Sequence, residues 1–289
     1  MNIKIRSMTL EDVETCGRIC YEAFKNLAES HNFRPDFPSV EFAVQIAQSF
    51  FANPQIYSIV AENEDGEIVG SNYLWEYDAV RAVGPITIDP NIQSKGTGRR
   101  LMEAVMERGA GSEGIRLVQD SYNITSMSLY ASLGFDVKEP LVLIEGLIKG
   151  DVPAVTKVRP IQAEDYAGCA ELCRKTHGIE RTNELKNTPP FLTSFVAVRD
   201  GRITAYASAP HLWALNYAVA ETEEDMQAVL TGAGNLSGGQ PLSFLLPTRQ
   251  TDLFRWCLKQ RMRVIKPSTL MSMGKYQEPR GCFLPSVGY

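Results

Sequence analysis

Apolar residues in the first half of the chain follow helical spacing in some segments and strand-like runs in others. Phe42, Ile46 and Phe50 recur every four residues, which predicts a helix. Apolar runs on both sides of Asp65-Gly66 predict a β-hairpin. Hairpins followed by strand–helix–strand crossovers predict an α/β fold, more exactly stated as an α+β mixed sheet flanked by helices. The predicted elements are a short first strand, helices at 9–27 and 40–51, strands at 55–61, 68–77 and 80–88, a helix at 97–108, a strand at 115–119, a helix at 124–132 and a strand at 135–143.

An internal repeat relates the two halves of the chain. Residues 5–20 (IRSMTLEDVETCGRIC) align with 158–173 (VRPIQAEDYAGCAELC), with identical Arg, Glu, Asp and both Cys residues. A period this long excludes a solenoid. It predicts two tandem copies of one domain, at 1–146 and 157–289. The second copy has predicted helices at 163–176, 223–230 and 251–260, and predicted strands at 195–198, 203–212, 217–221, 242–246 and 264–273.

Charge and apolar runs limit the partners that we expect. The 289 residues carry a formal net charge of −5, which argues against a nucleic-acid partner. Residues 1–150 hold 13 Lys+Arg and 21 Asp+Glu, whereas residues 151–289 hold 16 and 13. No apolar run approaches the ~20 residues of a membrane span, and the N-terminus lacks a signal-peptide core. We therefore expect a cytoplasmic protein with no membrane contact; the sequence indicates no oligomeric state.

Paired cysteines raise the question of a metal site. Cys16 and Cys20 are four residues apart and share one face of the first helix, and Cys169 and Cys173 do the same in the second copy. His177 continues that face in the second copy. Neither copy supplies a fourth nearby ligand for zinc, and buried cysteine commonly packs as a small apolar side chain. We expect core packing and no metal.

A glycine-spaced basic loop begins the helix at 97–108. Helix N-termini present backbone N–H groups and a partial positive charge, and therefore favour anions. Gly96 and Gly98 leave room for an anion to approach, and Lys95, Arg99 and Arg100 add positive charge. The sequence lacks both a Walker loop and a dinucleotide fingerprint. These features indicate a phosphate-binding loop, while a basic turn without a ligand stays open at this point.

Two motifs resemble the GNAT acetyltransferase superfamily. Residues 93–98, Gln-Ser-Lys-Gly-Thr-Gly, resemble its Q/R-x-x-G-x-G/A signature. Residues 123–135, from Asn123 through Tyr130 to Gly134-Phe135, resemble its N-x-x-x-x-x-x-Y-x-x-x-G-F segment. The resemblance covers residues 1–145, and the second copy looks like a degenerate version of the same fold. It implies two tandem GNAT-like acyl-CoA N-acyltransferase folds.

The resemblance also implies acetyl-CoA as the cosubstrate and a set of residues around it. The pyrophosphate would lie on backbone N–H groups of the basic loop, the pantetheine arm would pair beside the strand at 86–88, and Tyr130 would protonate the leaving thiolate. The cofactor-binding residues implied are Ile86, Ile88, Gln93, Ser94, Lys95, Gly96, Thr97, Gly98, Arg99 and Asn123. In the second copy the matching loop reads AETEEDM at 220–226, whose carboxylates would repel a pyrophosphate.

The general base has three candidates. Glu76 precedes the cofactor-binding strand and is the best carboxylate by position. Asp120 follows Gln119 at the end of a strand. The third candidate is the chain's own terminus, because residues 281–289 (GCFLPSVGY) carry no side-chain charge and favour burial. Some two-domain members of the superfamily place a terminal carboxylate in the cleft; the alternative is that the tail covers a sheet edge.

Aromatic residues suggest where an acceptor binds. The loop between the first two helices, SHNFRPDFPS, occupies the region that shapes the acceptor pocket in the superfamily. The substrate-lining residues predicted are Phe33, Phe37, Tyr73, Trp75 and Tyr289, and His31 is a further possible polar contact. We expect an N-acetyltransferase that acts on a primary amine of a small molecule. Two alternatives are a non-catalytic acyl-CoA-binding sensor or interaction module, and a peptide or protein N-acetyltransferase.

Overall fold

The computed structural model describes residues 3–92 and 96–288. The chain divides into two compact units. The first contains the chain up to Leu117 together with Tyr122–Leu133, and the second contains Val118–Ser121 and the chain from Gly134 onward. This division follows packing, whereas the predicted division into 1–146 and 157–289 follows the sequence repeat. The two divisions differ for residues 118–121 and 134–146. Within the described ranges, none of the helices is both long and apolar enough to cross a membrane.

The first unit is a mixed sheet with four helices. Its strand order is β1-β2-β3-β4-β6, with β5 added on β3; β4 and β6 are parallel and the other pairs are antiparallel. The strands are β1 Lys4–Ser7, β2 Ile56–Glu62, β3 Ile68–Trp75, β4 Val80–Val83, β5 Thr87–Ile88 and β6 Gly114–Asp120, whose last residues belong to the second unit. The helices are α1 Val13–Ser30, α2 Val40–Ala52, α3 Thr97–Gly109 and α4 Ile124–Ser132.

The predicted strand at 80–88 is wrong as a single element, because the structure divides it into β4 and β5. Gly84 lies between them, and a Cβ atom there would come within 2.8 Å of Tyr73 Cβ and 2.9 Å of Trp75 Cζ3. The chain therefore passes close beneath two aromatic side chains of β3. The parallel pairing of β4 with β6 ends at the pair Ala82 and Arg116.

The start of each repeat has the same side-chain arrangement. Asp12 accepts two hydrogen bonds from the Arg6 guanidinium, at 2.6 and 2.9 Å, and a third from the Thr9 backbone N–H at 2.8 Å. Asp165 repeats this arrangement with Arg159, at 2.6 and 2.8 Å, and with the backbone N–H of Gln162. These hydrogen bonds lower the pKa of both carboxyl groups. The sequence match between 5–20 and 158–173 therefore corresponds to a repeated structural motif.

The second unit contains two antiparallel groups of strands. One is the sheet β14-β11-β10-β9-β8, and the other is the group β13-β7-β12. The strands are β7 Asp136–Gly146, β8 Thr156–Pro160, β9 Phe195–Arg199, β10 Arg202–Ala207, β11 Ala218–Ala220, β12 Leu242–Pro247, β13 Arg263–Gly274 and β14 Cys282–Leu284. The helices are α5 Tyr166–His177, α6 Thr182–Lys186, α7 Glu223–Leu236 and α8 Thr251–Lys259.

Strand β7 ends the first repeat of the sequence but pairs with two strands of the second repeat. It lies between β12 and β13, with nine matched residue pairs to β13. Its central residues Leu141, Leu143 and Ile144 are fully buried. The β7 strand therefore belongs by packing to the second unit, even though its sequence completes the first repeat.

The C-terminal tail is buried as strand β14. Cys282, Phe283 and Leu284 pair antiparallel with β11 and are almost inaccessible to solvent. Further along, Arg181 donates a hydrogen bond of 3.0 Å to the carbonyl oxygen of Gly288. The expectation that the tail favours burial is confirmed. Tyr289 lies outside the described residues, so its predicted place in the acceptor site stays a prediction.

Candidate active site

The first turn of α3 has the backbone that an anion site requires. Gly96 is the N-cap and has φ +92°, in the left-handed region that favours glycine. The first helical hydrogen bond runs from Arg100 N–H to Gly96 O, at 3.1 Å. The N–H groups of Gly98 and Arg99 therefore have no acceptor within the helix. A Cβ atom on Gly96 would meet nothing within 4 Å, so the approach to this turn is open. Gln93, Ser94 and Lys95 lie outside the described residues.

Helix α4 packs with its C-terminal end against this turn. A Cβ atom on Gly98 would lie 3.5 Å from Leu129 Cδ2, and Arg99 donates a 2.7 Å hydrogen bond to Ser132 Oγ. Arg99 also lies 3.9 Å from Glu103, one turn further along α3. Thr97 is buried. The described end of the first motif, residues 96–98, and the motif at 123–135 are therefore brought together in space.

Tyr130 projects from α4 into the protein interior. Its side chain is 5% exposed, and burial raises the pKa of its phenol to about 12, partly offset by a hydrogen bond with Ser126. A phenol with this pKa keeps its proton at neutral pH. Asn123, predicted as a cofactor contact, is the N-cap of α4, and its side chain accepts a hydrogen bond from Ser126 N–H at 3.1 Å.

Strand β5 offers one edge on which an extended ligand could pair. Thr87 and Ile88 pair with Ser71 and Gly70 of β3. Among the residues that the structure describes, β3 is the only strand paired with β5. Ile86 is half-buried, as is Ile88, while Thr87 between them is buried. The strand therefore has the alternation and the available edge that the predicted pantetheine contact needs.

Glu76 is held by an ion pair away from Tyr130. Arg108 donates hydrogen bonds of 3.2 and 2.9 Å to the two Glu76 carboxylate oxygens. Arg108 is in the last turn of α3, roughly 16 Å along the helix from its first residue at a rise of 1.5 Å per residue. Helix α4, which carries Tyr130, packs against the opposite end of α3 through Leu129 and Ser132. The structure therefore does not bring together the two residues predicted to be catalytic.

Asp120, the second candidate base, also has a fixed partner. It lies in the second unit, where the buried Lys266 ammonium is 2.7 Å from its carboxylate. Lys266 also lies 5.1 Å from the centre of the Trp213 ring. The carboxylates of Glu76 and Asp120 are therefore both paired with a cation.

The predicted aromatic residues separate into two groups. Tyr73 and Trp75 are buried on β3 and make edge-on contacts with Phe50 of α2, at centroid distances of 5.2 and 5.1 Å. These contacts are those of core packing. Phe33 and Phe37 lie in the half-buried loop between α1 and α2, where Phe37 contacts Phe24 at 5.6 Å.

Tyr122 is a residue that the sequence analysis missed. Its ring stacks on Phe33, with centroids 4.5 Å apart and planes at 16°, and lies 5.0 Å from the ring of His31. Tyr122 directly precedes Asn123, the N-cap of the helix that carries Tyr130. An aromatic residue next to the 123–135 motif was the available signal, but its partners are about 90 residues earlier in the chain and only the fold brings them together.

The matching position in the second unit is closed by the chain's own charges. Thr222 caps α7, and its side chain accepts a hydrogen bond from Asp225 N–H at 3.1 Å. The Glu223 carboxylate accepts a hydrogen bond from the backbone N–H of Leu253, in the first turn of α8. Lys175 and Arg202 pair with Glu221 at 3.1 and 2.5 Å. The start of α7 is therefore capped by a hydroxyl group of the chain and carries acidic residues, unlike the open, basic first turn of α3.

All six cysteines are free and buried. Burial raises the pKa of Cys16, Cys20, Cys169, Cys173, Cys257 and Cys282. A high pKa disfavours the thiolate, which is the metal-binding and nucleophilic form. Within residues 3–92 and 96–288, no group of three or more His, Cys, Asp and Glu side chains is arranged to hold a metal ion.

A comparison with protein families identifies the segment that contains this site. Residues 21–135 match the model of the acetyltransferase (GNAT) family. This segment contains the first turn of α3 and Tyr130. The match identifies the segment as an acetyltransferase domain, so the predictions of the family and of an acyltransferase enzyme are confirmed. No curated protein sequence matches the chain significantly.

Solved structures show the same fold over nearly the whole chain. A protein from Pyrococcus horikoshii described as an acetyltransferase is 18% identical, with a TM-score of 0.71, over 97% of this chain and 94% of its own. A GCN5-related N-acetyltransferase from Sphaerobacter thermophilus is 14% identical, with a TM-score of 0.63, over 96% of both chains. A tandem GNAT protein from the clavulanic acid biosynthesis pathway is 12% identical, with a TM-score of 0.57, over 94% of this chain and 98% of its own. The predicted fold class, two tandem GNAT-like folds, is confirmed.

Proposed function

We propose that the chain is an N-acetyltransferase that transfers the acetyl group of acetyl-CoA to a primary amine of a small molecule. The observation that carries the proposal is the contact between the open first turn of α3 and helix α4, which bears the buried Tyr130. This contact supports the proposal, because it would bring an anion-binding backbone close to a proton donor. Transfer of an acyl group from a phosphorylated thiol carrier needs both.

The residues present fit coenzyme A. Gly96 takes the left-handed conformation and leaves open space where a Cβ would project, and the first N–H groups of α3 face a place that favours an anion. We propose that the loop 93–99 holds the pyrophosphate and that the free edge at Ile86–Ile88 holds the pantetheine arm. Acetyl-CoA would supply an acetyl group activated as a thioester.

Tyr130 supplies the proton for the leaving group. Its phenol oxygen keeps a proton at neutral pH because burial raises its pKa to about 12. A thiolate with an ordinary thiol pKa of ~8.5 is less basic than a phenolate, so complete proton transfer from Tyr130 is uphill. The Tyr130 hydroxyl therefore stabilises the negative charge on sulfur by a hydrogen bond as the C–S bond breaks, and a proton that passes to sulfur is regained from the ammonium product or from solvent. Arg99, bound to Ser132, fixes α4 against α3 and so fixes the backbone position of Tyr130.

The amine must lose its proton before it can attack. Residues 1–150 are the acidic half of the chain, with 21 Asp+Glu against 13 Lys+Arg, which favours the approach of a cationic acceptor. We propose that this proton leaves to solvent, because the Glu76 carboxylate is paired with Arg108 by hydrogen bonds of 3.2 and 2.9 Å.

Calorimetry with coenzyme A tests the cofactor. The variant Gly98→Glu places a carboxylate at the proposed pyrophosphate position, and we expect it to abolish measurable binding. Gly111→Glu is the matched control, because Gly111 follows α3 at its other end and a Cβ there meets nothing within 4 Å. Absence of binding to the unmodified chain would overturn the proposal, and so would equal binding by both variants.

Release of free coenzyme A from acetyl-CoA tests the reaction. We propose a panel of butylamine, phenethylamine, tyramine and spermidine, which spans apolar, aromatic and polycationic acceptors. Amine-dependent release that is lost in Gly98→Glu supports the enzyme. Coenzyme A binding with no amine-dependent release from any of the four would favour the non-catalytic acyl-CoA sensor.

A further inference from the structure

An aromatic stack ties the loop between α1 and α2 to the start of α4. Phe33, in that loop, stacks on Tyr122 at 4.5 Å, and His31 lies against the same ring at 5.0 Å. Tyr122 is followed immediately by the α4 N-cap Asn123. We refer to Phe33, His31 and Tyr122 as the aromatic clamp. It joins two segments that are about 90 residues apart in sequence.

The end of α1 directs Phe33 towards this contact. Asn32 has φ +60°, and its N–H donates to the carbonyl oxygen of Glu29 at 3.1 Å, while Phe33 N–H donates to Ala28 O at 2.9 Å. These two hydrogen bonds form the Schellman motif that ends many helices. The position of Phe33 is therefore fixed by the α1 backbone, and Tyr122 adds the second attachment.

The two ends of α4 face different neighbours. Its C-terminal end, at Leu129 and Ser132, packs on the first turn of α3, where we place the phosphates. Its N-terminal end follows Tyr122 and the clamp. Tyr130 belongs to the same helix. A thiol carrier that enters from the α3 side therefore leaves the space beside the aromatic clamp open to the acceptor amine. An amine must reach the thioester carbonyl from a direction that the carrier does not fill.

We infer that Tyr122 is a positioning residue of the acceptor site, which holds the α1–α2 loop at the N-terminal end of α4 and so sets the affinity for the amine. The inference rests on the proposed function, because it takes Tyr130 to mark the thioester. It assigns Tyr122 no part in binding coenzyme A. An aromatic ring, rather than the phenol hydroxyl, is what the stack requires.

Three variants separate the role of the Tyr122 ring from the role of its hydroxyl and from the general effect of replacing a tyrosine. Tyr122→Leu removes the ring, and Tyr122→Phe keeps it without the hydroxyl. Tyr21→Leu is the matched control. Tyr21 is a half-buried tyrosine of α1, and the Lys25 ammonium lies over its ring. Amide hydrogen exchange of residues 28–39 reports how firmly the loop is held. We expect about threefold to tenfold faster exchange in Tyr122→Leu, from the loss of an aromatic pair, and no change in the other two.

Kinetics with the four-amine panel supply the readout that a purely structural role would not move. For those amines that the unmodified chain acetylates, we expect Tyr122→Leu to raise the acceptor KM about tenfold while kcat changes less than about threefold. Tyr122→Phe should restore the KM. The Kd for coenzyme A should stay within about twofold in all variants.

The outcomes distinguish this inference from the proposed function. Absence of coenzyme A binding by the unmodified chain overturns the proposed function. Unchanged amide hydrogen exchange at residues 28–39 in Tyr122→Leu overturns the aromatic clamp by itself. Faster exchange with an unchanged acceptor KM shows that the loop is held by Tyr122 but does not set acceptor affinity, which also overturns the inference. If coenzyme A binds but no panel amine is acetylated, the result contradicts the proposed function and, with it, the assignment of Tyr122 to an acceptor site.

Discussion

Tyr130 combines a sequence motif with an environment that only the fold reveals. The motif at 123–135 singled out this tyrosine, but the sequence does not show that it is 5% exposed or that burial raises its pKa to about 12. Burial disfavours the charged phenolate, so the neutral, proton-donating form persists far above neutral pH. The residue is therefore suited to act as an acid and unsuited to act as a base.

Replacing Tyr130 by phenylalanine removes that proton donor without changing the packing volume much. We expect kcat to fall about a hundredfold, the lower range for the loss of a general acid, while the Kd for coenzyme A stays within about twofold. Stopped-flow measurement of thiol release separates this effect from product dissociation. Full turnover by Tyr130→Phe would contradict the acid assignment.

For Glu76 we expect the opposite result, namely that its replacement leaves turnover almost unchanged. Because its carboxylate is paired with Arg108, which is half-exposed, Glu76→Gln should lower the free energy of unfolding by less than about 1 kcal/mol. We expect kcat to remain within about twofold, measured at saturating acetyl-CoA across pH 6 to 9, the range over which an active-site base would titrate. A fall of a hundredfold, with an altered acidic limb, would instead assign the general base to Glu76.

At the scale of elements, the repeated Arg–Asp caps of the two repeats are sites where pH changes stability. Hydrogen bonds from Arg6 and Arg159 lower the pKa of Asp12 and Asp165 below the ordinary value of 3.8. A lowered folded-state pKa contributes stability that is fully present above the unfolded pKa and is lost as pH falls through the folded one. The loss should therefore occur below about pH 4.

The variant Asp12→Asn tests this pH dependence of stability, because it removes the charge of one of the two carboxylates. At pH 7 we expect the variant to lose about 2 kcal/mol of unfolding free energy, the order of a hydrogen bond to a charged group. Urea denaturation at pH 7 and at pH 3 measures it, and the difference from the unmodified chain should shrink at pH 3. Glu14→Gln, on the first turn of the same helix, is the control. A difference independent of pH would contradict the linkage.

Elements with a strong local signal were predicted closely. Helix α4 was predicted at 124–132 and is Ile124–Ser132, and Gly134 after it has φ +98°, as expected at the end of a helix. The missed features lack such a signal. Helix α6 has five residues, fewer than two turns, and the break between β4 and β5 depends on how close Gly84 passes to Tyr73 and Trp75. That approach is a tertiary contact.

At the scale of the whole molecule, the second repeat should bind no coenzyme A. The helix start that corresponds to α3 is that of α7, where the Thr222 side chain already accepts the Asp225 N–H and the first turn carries Glu223, Glu224 and Asp225, which would repel a pyrophosphate. Calorimetry should therefore give one coenzyme A per chain. Two equivalent sites, or loss of binding on Glu223→Gln with Gly98 intact, would contradict this.

The tail belongs to the fold of the second unit. Removing residues 282–289 would take the three buried side chains of β14 out of the core, together with buried residues that follow it. Burial of a large apolar side chain contributes about 1.5–3 kcal/mol. We expect the free energy of unfolding of the truncated chain to be several kcal/mol smaller, and its melting temperature to be lower. Differential scanning calorimetry measures this. A truncated chain with unchanged melting would show that β14 is dispensable, and only then would its turnover report on the terminal carboxylate.

Strand β7 has a consequence for how the two repeats can be handled in the laboratory. Because it lies between β12 and β13, a gene fragment that begins at the linker after residue 146 would encode both neighbours without the strand that joins them. Such a fragment would expose two long unpaired strand edges, which promote aggregation. Co-expression of the complementary fragment would have to supply the missing strand, so the halves are better recombined as a split protein than studied as separate modules.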